Sequence, residues 1–113
     1  MNNDRELLEL AAKAAGIELA FNDDGSPGRF VGYWRPKWIP WNPRDDDGDS
    51  RRLEVDLNIE VRFHLAGSIP GVTATVVSDS RLPVPREPWG SDKRAATRLA
   101  VLRAAAEIGR AMP

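Results

Sequence analysis

The chain has 113 residues, an ordinary apolar share of 42%, sixteen basic against seventeen acidic residues, and no cysteine. This is a single globular domain over residues 1–113, long enough to bury one core without covalent staples. Nearly cancelled charge offers no global field for DNA or anionic lipid, and the missing cysteines exclude disulfides, thiolate metal sites and thiol nucleophiles.

The opening "MNNDRELLEL" is acidic and has no long apolar run, so no secretory signal is expected. No stretch approaches the ~18 apolar residues of a membrane span, so no membrane partner is expected and the default location is the cytoplasm. Residues 4–15 read as a helix, with Asn3 as cap and Glu6 as its reciprocal partner. Leu7, Leu10, Ala11 and Ala14 recur at helical spacing, Leu8 and Ala15 widen the stripe, and Gly16 supplies a left-handed stop. "IELAF" (17–21) and "RFVGYW" (29–34) flank the turn formers "NDDGSPG" and predict a hairpin. The segment "YWRPKWIPWNP" (33–43) follows as an aromatic and proline-rich loop.

Residues 45–65 admit two readings. From Leu53 to Leu65 every odd position is apolar and every even one polar, the period of one long half-buried strand. The other reading starts a helix in the acids, because carboxylates favour a helix N-terminus, and leaves "IEVRFHL" (59–65) as a strand. "AGSIPG" (66–71) is a turn, and "VTATVVS" (72–78), rich in β-branched residues, is a strand. "RLPVPREPWG" (81–90) is a second proline-rich loop. Ser91 then caps an alanine-rich helix over 92–112.

Few residues are spaced for chemistry. Aligning Gly48 with the glycine of a calcium loop puts Asp45, Asp47, Asp49 and Glu54 at further ligand positions, but Pro43 then stands where the first carboxylate must be. The acids read instead as a charged helix start answered by Arg51 and Arg52, and no metal ligand is assigned. His64 is the only histidine, and no Gly-x-Ser-x-Gly elbow accompanies it. Its parity with Glu60 and Arg62 puts it on the polar face of the strand, in a surface or cross-strand role. The glycines of "DDGSPG" lack the following Lys-Ser/Thr of a phosphate loop. On the last helix Arg94 and Arg98 fall nearly opposite Arg103 and Arg110, which suits a core stripe flanked by arginine stems rather than a groove-reading face. No catalytic residue and no cofactor is expected.

Two stretches, "WNPRDDDGDSRRLEVDLNIEV" (41–61) and "ATRLAVLRAAAEIGRAM" (96–112), resemble the phage ABA-sandwich, or NinX-like, proteins of tailed phages and prophages. The shared pattern is Trp-Asn-Pro, an Asp-rich helix start, a strand, and an alanine-rich C-terminal helix. The resemblance implies a helix at 46–57 rather than one long strand. It also implies a viral accessory gene, and it brings no established activity. The element order becomes α-β-β-α-β-β-α: an α+β domain in which a small, mainly antiparallel four-stranded sheet of two hairpins is packed by three helices.

The aromatic segment is then the candidate site: Tyr33, Trp34, Trp38 and Trp41, interleaved with Arg35, Lys37 and Arg44. Trp, Tyr and Arg dominate protein-binding hot spots, and prolines reduce the entropy lost on docking. Aromatics with cations also suit the stacking of single-stranded bases. Because indoles are large, one or two of Trp34, Trp38 and Trp41 are expected in the core, with Trp89 nearby and at least one ring partly exposed. An apolar patch is expected around Trp38 and Trp41. The function expected is non-catalytic binding of a host or viral protein, with counter-defence as one version. Single-stranded nucleic-acid binding is the alternative, and a metal enzyme built on residues 45–49 comes last. A homo-oligomer joined through the aromatic loop is a further possibility.

Overall fold

The computed structural model describes residues 3–67 and 69–113, without the side chain of Asn3. Its order is α1 (Asn3–Ala15), β1 (Ala20–Phe21), β2 (Pro27–Val31), β3 (Lys37–Pro40), α2 (Asp47–Asp56), β4 (Ile59–His64), β5 (Gly71–Val76), β6 (Arg86–Pro88) and α3 (Lys93–Ala111). The α+β class and the three helices are as the sequence predicts. The sheet is not: there are two three-stranded antiparallel sheets, β1-β2-β3 and β4-β5-β6, in place of one with four strands. The two additional strands, β3 and β6, lie inside the segments read as proline-rich loops. Both are edge strands, where the outward backbone needs no N–H donor, so Pro40 and Pro88 are tolerated.

α1 ends as its sequence predicts. Gly16 has φ 70°, and the N–H groups of Gly16 and Ile17 donate to the carbonyls of Lys13 and Ala12, the paired bonds of a left-handed helix stop. The cap expected from Asn3 falls on a side chain outside the described ones, and the helix itself begins at that residue. Of the expected stripe Leu8 and Ala11 are buried and Leu7 is half-buried, and Ala12, outside that stripe, is buried with them. The turn expected over 66–71 includes Ser68, which lies outside the described residues. α3 is capped by Asp92, whose carboxylate accepts from the Ala95 N–H at 3.0 Å, one residue after the expected Ser91.

α2 forms where helix-then-strand places it. Asp46 is its N-cap and accepts from the Asp49 N–H at 2.8 Å, and Asn58, at φ 55°, turns the chain into β4. The apolar alternation over 53–65 is broken in space: Leu53 is buried while Val55 is exposed, as a helix turning about 100° per residue requires.

α3 is the middle of the body, packed on α1, on α2 and on the β4-β5-β6 sheet. Ala100, Val101, Leu102, Ala104, Ala105 and Ala106 are all fully buried, facing Val72, Ala74 and Val76 of β5 and Ala11 of α1. Small side chains let the layers approach closely: a Cβ on Gly109 would overlap the Leu10 carbonyl oxygen of α1. Three of the four α3 arginines splay outward to partners on other elements, Arg98 to Asp47 at 2.6 Å, Arg103 to the buried Glu87, and Arg110 to Glu6 at 3.6 Å.

The β1-β2-β3 sheet stands apart. Its strands pack chiefly on one another, and it forms an arm on the body. The molecule measures 52 × 31 × 26 Å with a radius of gyration of 14.5 Å, against about 13 Å for a compact chain of this length.

Candidate functional site

The arm is held together by one indole. Trp38 on β3 lies opposite Phe30 on β2, and directly opposed residues of an antiparallel pair share a face. Its ring passes over Gly28, where any Cβ would overlap it, and its Nε1–H donates to the Ala20 carbonyl of β1 at 3.0 Å. Trp38 thus joins all three strands and is half-buried in doing so. Trp41, just past β3, is 5% exposed and belongs to the body core. Its N–H donates to the Pro27 carbonyl at 3.1 Å. The next residue, Asn42, donates its N–H to Asp49 of α2 at 2.9 Å.

Register pairs Val31 with Lys37, so residues 32–36 form the tip of the arm. Gly32 and Arg35 both take positive φ, 102° and 56°, which folds the chain back over a short span. Tyr33 and Trp34 ride on this turn, 92% and 86% exposed. Their rings meet edge to face with centroids 5.9 Å apart, the arrangement aromatic quadrupoles favour. Phe30, 60% exposed, lies just behind them on β2.

The structure therefore divides the sequence-predicted residues. Tyr33, Trp34, Arg35 and Lys37 come together on the tip, all exposed. Trp38 and Trp41 turn inward, so the apolar patch lies around Tyr33 and Trp34 instead of the expected Trp38 and Trp41. Strand alternation and the return of the chain to the body consume those two rings. Arg44 leaves the site: it pairs with Asp4 of α1 at 3.1 Å and lies near Asp45 at 3.7 Å. Trp89 packs against Phe63 of β4, not beside the arm tryptophans. Sequence reasoning passed over Phe30 and Arg29. The signal for Arg29 was available, since no acidic residue lies between positions 25 and 44. Among the described residues Arg29, Arg35 and Lys37 form no ion pair within 4.0 Å.

The acidic run is occupied by local structure. Asp46 caps α2, Asp47 pairs with Arg98, and the buried Asp49 holds Arg52 at 2.6 Å as well as the Asn42 N–H. The hydrogen bond that Arg52 donates to Asp49, together with the charge of that carboxylate, raises the pKa of the Arg52 guanidinium above its ordinary value. No group of three or more His, Asp or Glu among the described residues is placed to hold a metal ion. His64 lies 2.9 Å from the Thr73 hydroxyl on the neighbouring strand, the cross-strand role its parity predicts.

Comparison with known proteins leaves the chain to be read from its own residues: no family model matches it, and neither the curated proteins nor the solved structures yield a match.

Proposed function

We propose that this chain is a non-catalytic phage or prophage accessory protein that binds a host or viral protein through the tip of the β2–β3 hairpin. The observation that carries this reading is the exposure of Tyr33 and Trp34, side by side on a turn at the end of a stitched arm. Placing two large rings in water costs hydrophobic free energy that burial in a partner would recover. Both residue types are enriched at binding hot spots, and a turn fixed by the flanking ladder loses little entropy on docking. The viral setting rests on the likeness of residues 41–61 and 96–112 to the phage ABA-sandwich proteins, and antagonism of a bacterial defence protein in the host cytoplasm is its most concrete form. No helix among the described residues is long and apolar enough to cross a membrane.

The test is a pull-down from host lysate with wild type and a Tyr33→Ala/Trp34→Ala double variant. The double variant is expected to lose a specific partner while its unfolding free energy stays within the range of surface substitutions, about 0.5 kcal/mol of wild type. A partner retained in full by the double variant refutes the proposal. Size-exclusion chromatography of both proteins separates a second copy of this chain from a foreign partner.

The unpaired cations favour one second reading, single-stranded nucleic-acid binding at the same tip. Exposed rings with Arg29, Arg35 and Lys37 beside them supply stacking platforms and phosphate contacts. Titrating the protein with oligonucleotides while following tryptophan emission decides between the two. Quenching that weakens steeply with salt supports this reading, and an unchanged spectrum removes it.

A further inference from the structure

A second site lies on the body and shares no residue with the tip. Where α2 and the first turns of α3 diverge over β4, they leave an open cleft of about 400 Å³, within the size range of small-ligand sites. Its floor is Phe63. Along β4, Ile59 is buried, Val61 is half-buried, and Phe63, on the same inward parity, is 51% exposed. The inward face of the sheet thus runs out of cover at this ring.

The walls are charged, and their charges do not balance. The two cleft carboxylates are taken: Asp47 by Arg98 at 2.6 Å and Glu54 by Arg51 at 2.7 Å. Lys93 and Arg94 also line the cleft, and neither has an ion-pair partner among the described residues. Lys93 is fixed by aromatic rings, its Nζ 4.8 Å from the centroid of Phe63 and 4.1 Å from that of Trp89. The backbone end of α3 contributes little here, since Asp92 already accepts from the Ala95 N–H. Two uncompensated side-chain cations therefore stand beside a half-uncovered aromatic shelf.

We infer that this cleft binds a small organic anion carrying a planar ring, the ring lying against Phe63 and the anionic group held by Lys93 and Arg94. An inorganic anion has no apolar surface for Phe63, and a neutral ring carries no charge to compensate Arg94. The chemistry therefore selects molecules that combine the two, such as aryl or heteroaryl phosphates of mononucleotide size. Guanidinium and ammonium groups bound to phosphate form charge-assisted bonds, and their partial exposure makes the affinity salt-dependent.

Calorimetric titration of the full chain with AMP, 1-naphthyl phosphate, adenosine and inorganic phosphate tests the site. At least one ring-bearing phosphate is expected to bind. Adenosine, which lacks the anion, is expected about tenfold weaker or more, the scale of one charge-assisted hydrogen bond. Inorganic phosphate, which lacks the ring, is expected about tenfold weaker or more, the scale of one stacking contact. Arg94→Ala is expected to weaken that binding about tenfold on the same basis, and Phe63→Leu to weaken it without unfolding the protein. Tyr33→Ala/Trp34→Ala is expected to leave it unchanged, which keeps this test separate from that of the tip. Failure of both ring phosphates to bind, equal binding of inorganic phosphate or adenosine, or an Arg94→Ala protein that binds like wild type overturns the proposal.

Discussion

The body and the arm answer the same problem, how to keep a small β-sheet folded, in different ways. In the body, β5 buries Val72, Ala74 and Val76 against a helix that is itself buried along most of its length, so cohesion is spread over many small contacts. In the arm, no helix among the described residues packs broadly on the sheet: Arg5 of α1 lies over the Phe21 ring at 4.1 Å, and one indole crossing Gly28 and bonding to β1 does the joining. Cohesion by many small groups keeps the apolar side chains of α3 and β5 inside, while exposed ones of the body such as Leu65, Ile69 and Val77 lie in the turns beyond the strand ends. Cohesion by one large group leaves the rest of the arm free to carry exposed rings and unpaired cations. That separation puts the recognition tip where its composition is not constrained by the core.

The comparison is most severely tested at Trp41, which serves both regions. Trp41→Ala is expected to cost about 3–5 kcal/mol, the range for truncating a buried aromatic, and to loosen arm and body together in thermal unfolding and amide exchange. Retention of wild-type stability would mean that the arm is tethered elsewhere. Gly109→Ala should injure the body alone: a Cβ there meets the Leu10 carbonyl, and overpacking of this kind costs about 1–3 kcal/mol, read as a lower melting temperature with arm amide protection intact relative to the body. Gly28→Ala should do the converse. A Cβ there meets the Ile39 carbonyl oxygen as well as the Trp38 ring, so about 1–3 kcal/mol is expected, appearing as faster exchange of β1–β3 amides while the body transition holds.

The smallest effect is shared. Asp24, in the β1–β2 turn, is held below the usual carboxylate range by its hydrogen bonds from the Ser26 hydroxyl and N–H. Asp79, after β5, is held there by Arg81. A carboxyl whose folded-state pKa is depressed stabilises the fold above its unfolded value, and that contribution is lost as pH falls through the folded value. Both groups are fully exposed, so acid titration should lower stability only slightly. Asp24→Asn and Asp79→Asn should each flatten that slope, in their own region.

Much of this division was legible in the sequence, and what was not has physical causes. The helix expected over residues 46–57, and present as Asp47–Asp56, rests on the Asp-rich start and a family likeness, against a perfect odd–even alternation. In space that alternation is two separate patterns, a helix face through Leu53 and a strand face through Ile59, which meet at Asn58 without a phase break. The prolines hid β3 and β6, because local propensity does not say whether a strand will lie at an edge. The tip was found as a composition of rings and cations. Which rings remain outside depended on the β2–β3 register, and the register depends on the turn at Gly32 and Arg35. The uncovered Phe63 was beyond reach for a similar reason: parity pointed it inward, and only the divergence of α2 from α3 exposes it.

The alanine-built centre of α3 has a consequence for drift. Where side chains are already near the smallest available, trimming them removes little, whereas every enlargement pushes against α1 on one flank or β5 on the other. Change at these alanines is thus tolerated in one direction only, and a lineage of such chains would keep that face of the helix lean while the turn at residues 32–36 stayed at liberty to alter its chemistry.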